Sequence, residues 1–307
     1  MARPNRLKAS SGRAIYHAMN RTVRKQFMFT ESLREWIYKR INFLASCFYV
    51  EIHAVAVLSN HYHLVFSIDP PTPDALDVQK RFERLQSLNK KPRSWMFKDE
   101  LWHERFGDLS EFMKCLNQSI ANEINRRGDS EGKVWDRRFK STLIEDGPGL
   151  LACLAYVELN PVRAGLCKKP SEYRWCSAGR YALAGPKEAG VTVPSMSAFS
   201  GIAEKHRHDA WIVYVDHIAK LEKGLPSRLP DTWGAWEKLL EQKRIQHLHE
   251  TCFHKTKWLV NSVILGSEAF CERWLNPVQV KKHIAVPFRE LFPGLFNGRQ
   301  RAGDFLN

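Results

Sequence analysis

The chain is poor in several features that would each mark a class of protein. Its seven cysteines, at positions 47, 115, 153, 167, 176, 252 and 271, are odd in number, and none forms a C-x-x-C pair. That spacing excludes a cysteine zinc site and a fully paired disulfide framework, and predicts reduced thiols in a cytoplasmic protein. Long apolar runs are missing. Ala54 to Leu58 and Leu150 to Val157 are far too short to cross a bilayer, so no membrane partner is expected. The basic start of the chain lacks the apolar core and cleavage site of a secretory signal. Repeats and heptads are absent too. Finally, the first 28 residues hold no acidic side chain, although they carry Arg3, Arg6, Lys8, Arg13, Arg21, Arg24 and Lys25.

What is present belongs to a globular protein: 307 residues, 44% hydrophobic and 26% charged. That length is enough for one large domain or two modest ones. The formal net charge is +14 and the isoelectric point near 9.5. Such a surplus favours a polyanionic partner, with binding that weakens as salt rises. Basic clusters recur beside aromatics at Asn125-Arg126-Arg127 and at Lys133-Val134-Trp135-Asp136-Arg137-Arg138-Phe139-Lys140. Arginine grips phosphate bidentately and aromatics stack on unpaired bases, so nucleic acid is the expected partner.

Periodicity gives the element order. Ala14 to Asn20 reads as a strand and Leu33 to Cys47 as a helix; Val50 to Leu58 and His61 to Ile68 follow as strand-like runs around Ser59-Asn60. The polar break there suits either a hairpin or one long, bent strand. Asp69-Pro70-Pro71-Thr72-Pro73 closes this block. Residues 74–108 are polar and read as an insertion with a helix near Val78 to Leu88. A helix over Glu111 to Arg127, a basic strand over Lys133 to Ile144 and an apolar helix over Leu150 to Leu159 come next, the last stopped at Asn160-Pro161. This order predicts an α+β class, a ferredoxin-like α/β sandwich of antiparallel sheet with helices on one face. Domain boundaries are expected at 1–184 for this unit, 185–201 for a Gly/Pro/Ser-rich linker and 202–307 for a mainly helical C-terminal domain. Helices there are read at Asp209 to Lys223, Trp236 to His249 and Ser267 to Leu275.

Three H-x-H pairs occur. His206/His208 and His247/His249 lie in polar or helix-like contexts, where residues two apart diverge by about 200°. His61/His63 lies in an alternating run, so both imidazoles leave one strand face together. Ala54, Ala56, Leu58, Tyr62, Leu64, Phe66 and Ile68 are expected on one face, with Val55, Val57, Ser59, His61, His63 and Val65 on the other. Adjacent imidazoles make a divalent-metal half-site, while a pair of satisfied sheet histidines is the plainer alternative. Tyr156 and Asn160 are four apart and share a helix face. The first offers a phenol, which needs a polarised phosphate or a base to react; the second offers an amide oxygen as a neutral third ligand. Taken singly, a core aromatic and a helix C-cap describe them equally well.

Four segments together carry a resemblance. Tyr16-His17-Ala18-Met19-Asn20-Arg21, Leu58-Ser59-Asn60-His61-Tyr62-His63-Leu64, Val134-Trp135-Asp136-Arg137-Arg138-Phe139-Lys140-Ser141 and Tyr156 to Leu166, followed by Tyr173-Arg174-Trp175-Cys176-Ser177, stand in the order of the IS200-like single-tyrosine transposases. The chain resembles that family over about residues 10 to 183, and most closely its REP-associated tyrosine transposase group. The resemblance implies a ferredoxin-like fold, with His61 and His63 as the HUH metal ligands and Asn160 as the third ligand. It implies Mg²⁺ or Mn²⁺ as cofactor and Tyr156 as the nucleophile that cleaves and rejoins single-stranded DNA through a 5′-phosphotyrosine. Hairpin DNA is the implied partner, with Arg13, Arg21, Arg126, Arg127, Lys133, Trp135, Arg137, Arg138, Lys140 and Arg163 as candidate contacts. A monomer is preferred over a homodimer, and a nucleoid-associated cytoplasmic location is expected. A domesticated DNA-binding protein with little cleavage, or an RNA-binding protein, is the competing reading.

Overall fold

The structure, a computed structural model, describes residues 7–8, 12–88, 98–129, 131–191, 211, 215–216, 262–275, 288–292 and 295–299. Strand β1 (Ala14–Arg21) leads to helix α1 (Glu31–Cys47), then to β2 (Val50–Val57) and β3 (His61–Ile68). Helices α2 (Ala75–Gln86), α3 (Asp99–Phe106) and α4 (Leu109–Arg127) precede β4 (Lys140–Ile144), α5 (Pro148–Arg163) and α6 (Ser177–Ala189). A last group comprises β5 (Ser262–Gly266), α7 (Glu268–Leu275), β6 (Phe288–Phe292) and β7 (Leu295–Arg299). The sheet order is β2-β3-β1-β4-β5-β7-β6. Its first four strands pair antiparallel, which is the ferredoxin-like arrangement expected from the sequence.

The main core lies between this sheet and helices α1 and α4. Thr30 caps α1 by accepting from Leu33 N, and the helix turns Leu33, Ile37, Ile41 and Leu44 inward, each almost fully buried. Each such side chain contributes about 1.5–3 kcal/mol through lost apolar exposure. From the sheet, Tyr16, Ala18, Tyr62, Leu64 and Phe66 meet them. The described part of residues 74–108 joins the same core: Val78, Phe82, Trp102 and Phe106 are buried in it, and Phe106 stands edge-on to Phe48.

Helix α5 covers the other sheet face, where the sequence reading places no helix. The β2–β3 register makes this possible. Val57 pairs with Tyr62 and Val55 with Leu64, so beyond the register shift at Ile52/Ala54 odd residues of β2 share a face with even residues of β3. The expected face assignment for β2 is therefore reversed. Val55 and Val57 join the core, while small Ala54 and Ala56 lie on the histidine face and let α5 approach.

Three further expectations need correction. Helix α5 runs past Asn160-Pro161 to Arg163. The proline removes one N–H within the last turn, but Ala164 N and Leu166 N still reach Asn160 O and Pro161 O at 2.9 Å. Residues 133–139 are not strand: Val23 N donates to Val134 O at 2.8 Å and Thr22 bridges Trp135, which holds this segment as an irregular crossing. In the C-terminal region β5, β6 and β7 are strands, and β5 lies parallel to β4. These five-residue runs are too short for periodicity to reveal, and their pairing with the sheet gives them their conformation. Helix α7 falls where expected, whereas Trp236 to His249 lies outside the described residues.

The outer edge of β2 is covered by residues 173–177. Val57 N donates to Trp175 O, and Tyr173 Oη donates to Val57 O at 2.8 Å. Arg34 lies 4.0 Å over the Trp175 ring. Gly179 packs against this strap so closely that a methyl group there would strike the Tyr173 carbonyl. Gly179→Ala should therefore lower stability by about 1–3 kcal/mol, as overpacking does. Denaturant unfolding reads this, and an unchanged midpoint would refute the close approach.

Candidate functional site

The histidine face is set by what happens on its reverse. Tyr62 points into the core with no exposure, and its hydroxyl donates to Asn117 Oδ1 at 3.0 Å. Asn20 Nδ2 donates to the same oxygen at 2.8 Å, and Asn117 Nδ2 donates to Met113 O. With Tyr62 anchored, the pleat sends His61 and His63 to the other side. His63 is 1% exposed, whereas His61 sits at the rim.

A third histidine, His17 in the Tyr16-to-Arg21 segment, joins them. His17 of β1 is buried, its ring stacks on His63 with an interplanar angle of 6°, and its Nε2 lies 2.9 Å from His63 Nδ1. His61 Nδ1 lies 2.6 Å from Asn60 Oδ1. An amide oxygen only accepts, so His61 carries its proton on Nδ1 and keeps the lone pair on Nε2. When His63 Nδ1 donates to His17, the same tautomer results there. The signal for His17 is the odd parity it shares with Met19 and Arg21 along β1.

Helix α5 brings Tyr156 onto this face. The tyrosine ring stands edge-on to His63 at 5.4 Å and to His17 at 6.0 Å. Strand β4 ends where Ile144 pairs Ile15, so α5 starts at the N-terminal end of β1 and runs back toward the Arg21–His61 end. Asn160 lies one turn, about 6 Å, further in that direction. Its Nδ2 donates to Tyr156 O at 2.7 Å, which leaves its Oδ1 as the acceptor. Arg163 lies 5.1 Å over the Tyr156 ring.

Burial and positive neighbours set the ionisation of the face. Burial, aided by Arg21, lowers His61 to about 4, and burial with the fields of His61 and His17 holds His63 well below the usual imidazole range. Both rings are neutral at ordinary pH. Burial raises the Tyr156 hydroxyl to about 12, against the opposing effects of Arg163, the Asn160 amide and Arg21. Glu158, on the side of α5 away from Tyr156, accepts from Ser177 Oγ and Ala178 N, and burial pushes it up to about 7. The Arg21 Nε is buried without a hydrogen-bond partner among the described residues.

The fold thus gathers His61, His63, Tyr156, Asn160, Arg163 and Arg21 on one face. Lys140 joins their rim, paired in register with Met19, and Arg137 and Arg138 are exposed in the crossing before β4. Lys133 is exposed at the start of that crossing. Trp135 is turned inward: its Nε1 donates to Asn117 O and its ring meets Phe29 and Tyr62 edge-on. Arg126 and Arg127 cluster on Glu123 at 2.7–2.9 Å at the end of α4, on the opposite sheet face. Arg13 pairs with Glu51 at the far end of β1, about 25 Å from Arg21 at strand rise.

Two imidazoles that can each present Nε2, with the Asn160 amide oxygen on the helix that packs on the same face, are donor types that fit a divalent cation. Among the described residues no group of three or more His, Cys, Asp or Glu is arranged for a metal, so the amide would have to serve. No helix among them is long and apolar enough to cross a membrane.

Comparison with known proteins bears on this face. A solved structure of a REP-associated tyrosine transposase bound to a REP hairpin is similar at 16% identity, covering 64% of this chain and 96% of that one, with a TM-score of 0.41. No curated protein matches. The family model for "Transposase IS200 like" matches residues 10–107, a span that holds β1, His17, the β2–β3 hairpin and the His61/His63 pair. Over residues 10–107, the chain is thus similar to the IS200-like transposases.

Proposed function

We propose that the chain is a metal-dependent single-stranded DNA endonuclease and strand transferase acting on hairpin-forming DNA. The observation that carries this reading is the meeting of the Tyr156 phenol with the His61/His63 face, edge-on to His63 at 5.4 Å. The family match supports transposase chemistry, and the +14 charge supports a polyanionic substrate.

His61 Nε2, His63 Nε2 and Asn160 Oδ1 would hold Mg²⁺ or Mn²⁺. When bound, the ion supplies Lewis-acid polarisation of a phosphodiester. This chain's residues do the rest. Asn60 and His17 hold the two imidazoles in the tautomer that presents Nε2. Arg21, with its unpartnered Nε, and Lys140 at the rim receive phosphate charge. Tyr156 Oη attacks phosphorus, an O–P bond forms, and the bond from phosphorus to the 3′ oxygen breaks. The phenol gives up its proton and the departing oxygen takes one up as a 3′-hydroxyl. The resulting 5′-phosphotyrosine conserves the phosphodiester, so a second 3′-hydroxyl reverses the step and joins strands.

Full-length protein incubated with labelled hairpin DNA from its own genomic flanks and Mn²⁺ should yield a denaturation-resistant adduct. Tyr156→Phe, which keeps the ring contacts, should yield none. An adduct surviving that substitution refutes the nucleophile, and no adduct with the wild type refutes cleavage.

Metal binding provides a second readout that requires no turnover. His17→Ala should weaken Mn²⁺ affinity roughly 10–100-fold, as loss of an orienting partner does, and His17→Gln should restore part of it. Paramagnetic resonance of free Mn²⁺ measures this, and an affinity indifferent to His17 and to His61→Ala excludes the ligand set.

Protons compete with metal only where an imidazole titrates. His61 titrates near 4 instead of the ordinary 6.5, so Mn²⁺ affinity should stay level from pH 8 to about 5 and fall toward pH 4. A decline beginning at pH 6.5 would show that the ring is not held neutral by burial.

A further inference from the structure

Phe27 is 81% exposed, and among the residues whose burial is described no other Phe, Tyr or Trp is as open to solvent. A solitary exposed apolar side chain needs no explanation by itself. The setting of Phe27 does. Its loop is fastened to the hairpin that carries His61: Thr22 N donates to Asn60 O, Phe29 N to Ser59 O and Asn60 Nδ2 to Lys25 O, each at 2.9 Å. Thr22 Oγ1 closes the loop on Gln26 O at 2.7 Å. The loop is therefore stiff, and it holds Arg24 and Lys25 in left-handed backbone conformations with φ of 50° and 58°. Both side chains are exposed. One residue links this loop to the site, because the Asn60 amide that donates to Lys25 O also accepts from His61 Nδ1. Phe27 is two residues beyond Lys25, so their Cα atoms lie within about 8 Å. The bridge from Thr22 to Trp135 brings Arg137 alongside, paired weakly with Asp136 at 3.9 Å and 89% exposed in its side chain.

We propose that Phe27 is a stacking platform for an unpaired nucleobase of the strand that enters the His61–His63–Tyr156 face, with Arg24, Lys25 and Arg137 receiving its flanking phosphates. The inference rests on the nuclease reading only for where the strand lies. An apolar ring amid cations fits single-stranded nucleic acid, in which π-faces and phosphates alternate. It fits a duplex poorly, because there the bases are already stacked. An apolar protein partner would leave the three cations without countercharge.

The test measures binding by the full chain in EDTA, where no cleavage occurs. The probe is a hairpin with a single-stranded extension, in which a base beside the cleavage position is replaced in turn by 2-aminopurine or by an abasic site. Phe27→Ala should weaken binding about 5- to 100-fold, the worth of one stacked base, and Phe27→Trp should retain it. The 2-aminopurine fluorescence should be quenched by the wild type and by Phe27→Trp but not by Phe27→Ala. On the abasic probe that marks the stacked position, Phe27→Ala and wild type should bind alike. Affinity for a blunt duplex should be unchanged.

Binding by Phe27→Ala within twofold of wild type on every extended probe overturns the proposal. So does an equal loss on the blunt duplex, or a change of oligomeric state on substitution, which would assign the ring to a second copy. The two readings fail separately. Quenching without an adduct refutes cleavage and leaves stacking intact, while an adduct with an indifferent Phe27 refutes stacking alone.

Discussion

The site depends on the anchoring of Tyr62. A strand presents alternate faces, so the ring in the middle of His61-Tyr62-His63 and the two imidazoles beside it cannot all point the same way. Asn117 holds the Tyr62 hydroxyl inside the α1/α4 core, and Asn20 and Trp135 are secured by the same residue. A one-residue slip of β3 would turn the two imidazoles into the α1/α4 core and the phenol toward α5. The polar cluster around Asn117 therefore fixes the register from behind, on the face opposite the histidines.

The electrostatics follow from what surrounds that face. His61 and His63 are neutral because burial and Arg21 disfavour their charged forms. Of the carboxylates, Glu158 lies on the same helix, but it is turned to Ser177 and Ala178 and shifted toward its neutral form. Its folded pKa of about 7 exceeds the ordinary 4.5, so its stabilising effect is full below 4.5 and is lost as pH rises through 7. The imidazoles act with the opposite sign: their effect is full above 6.5 and is lost as pH falls toward 4. The clamp holding α5 to the strap over β2 thus weakens at alkaline pH, and the histidine face weakens in acid. A neutral donor set leaves the charge of any divalent cation to be matched by phosphate, and the arginines on this face repel a competing free cation.

Much of this was legible in the sequence because it is carried by local rules. Alternation in His61 to Ile68 and four-residue spacing between Tyr156 and Asn160 define faces without reference to the rest of the fold. The failures share a different origin. The reversed parity of Val55 and Val57 follows from the pairing of Val57 with Tyr62, which only the closed hairpin determines. Pro161 reads as a stop, yet it sits in the last turn, where one missing N–H is tolerated. Trp135 reads as a base platform, whereas the bridge to Thr22 turns it inward. His17 carries no local signal of its own. A histidine inside an apolar strand is silent until a second strand brings His63 beside it.

Asn60 shows how the two parts of the surface act together. Its side chain joins His61 to the backbone of Lys25, and its carbonyl accepts from Thr22. The loop that displays Arg24, Lys25 and Phe27 therefore cannot move without disturbing the hydrogen bond that sets the His61 tautomer. The converse also holds: strand binding to the loop would steady Asn60 and, through it, the Nε2 lone pair. Coupling of this kind needs no second conformation of the core, because one amide is shared between the residues that would grip the substrate and the ring that would hold the ion. Replacing Asn60 with aspartate would keep the acceptor for His61 but remove the donor to Lys25, separating the two roles that the amide combines.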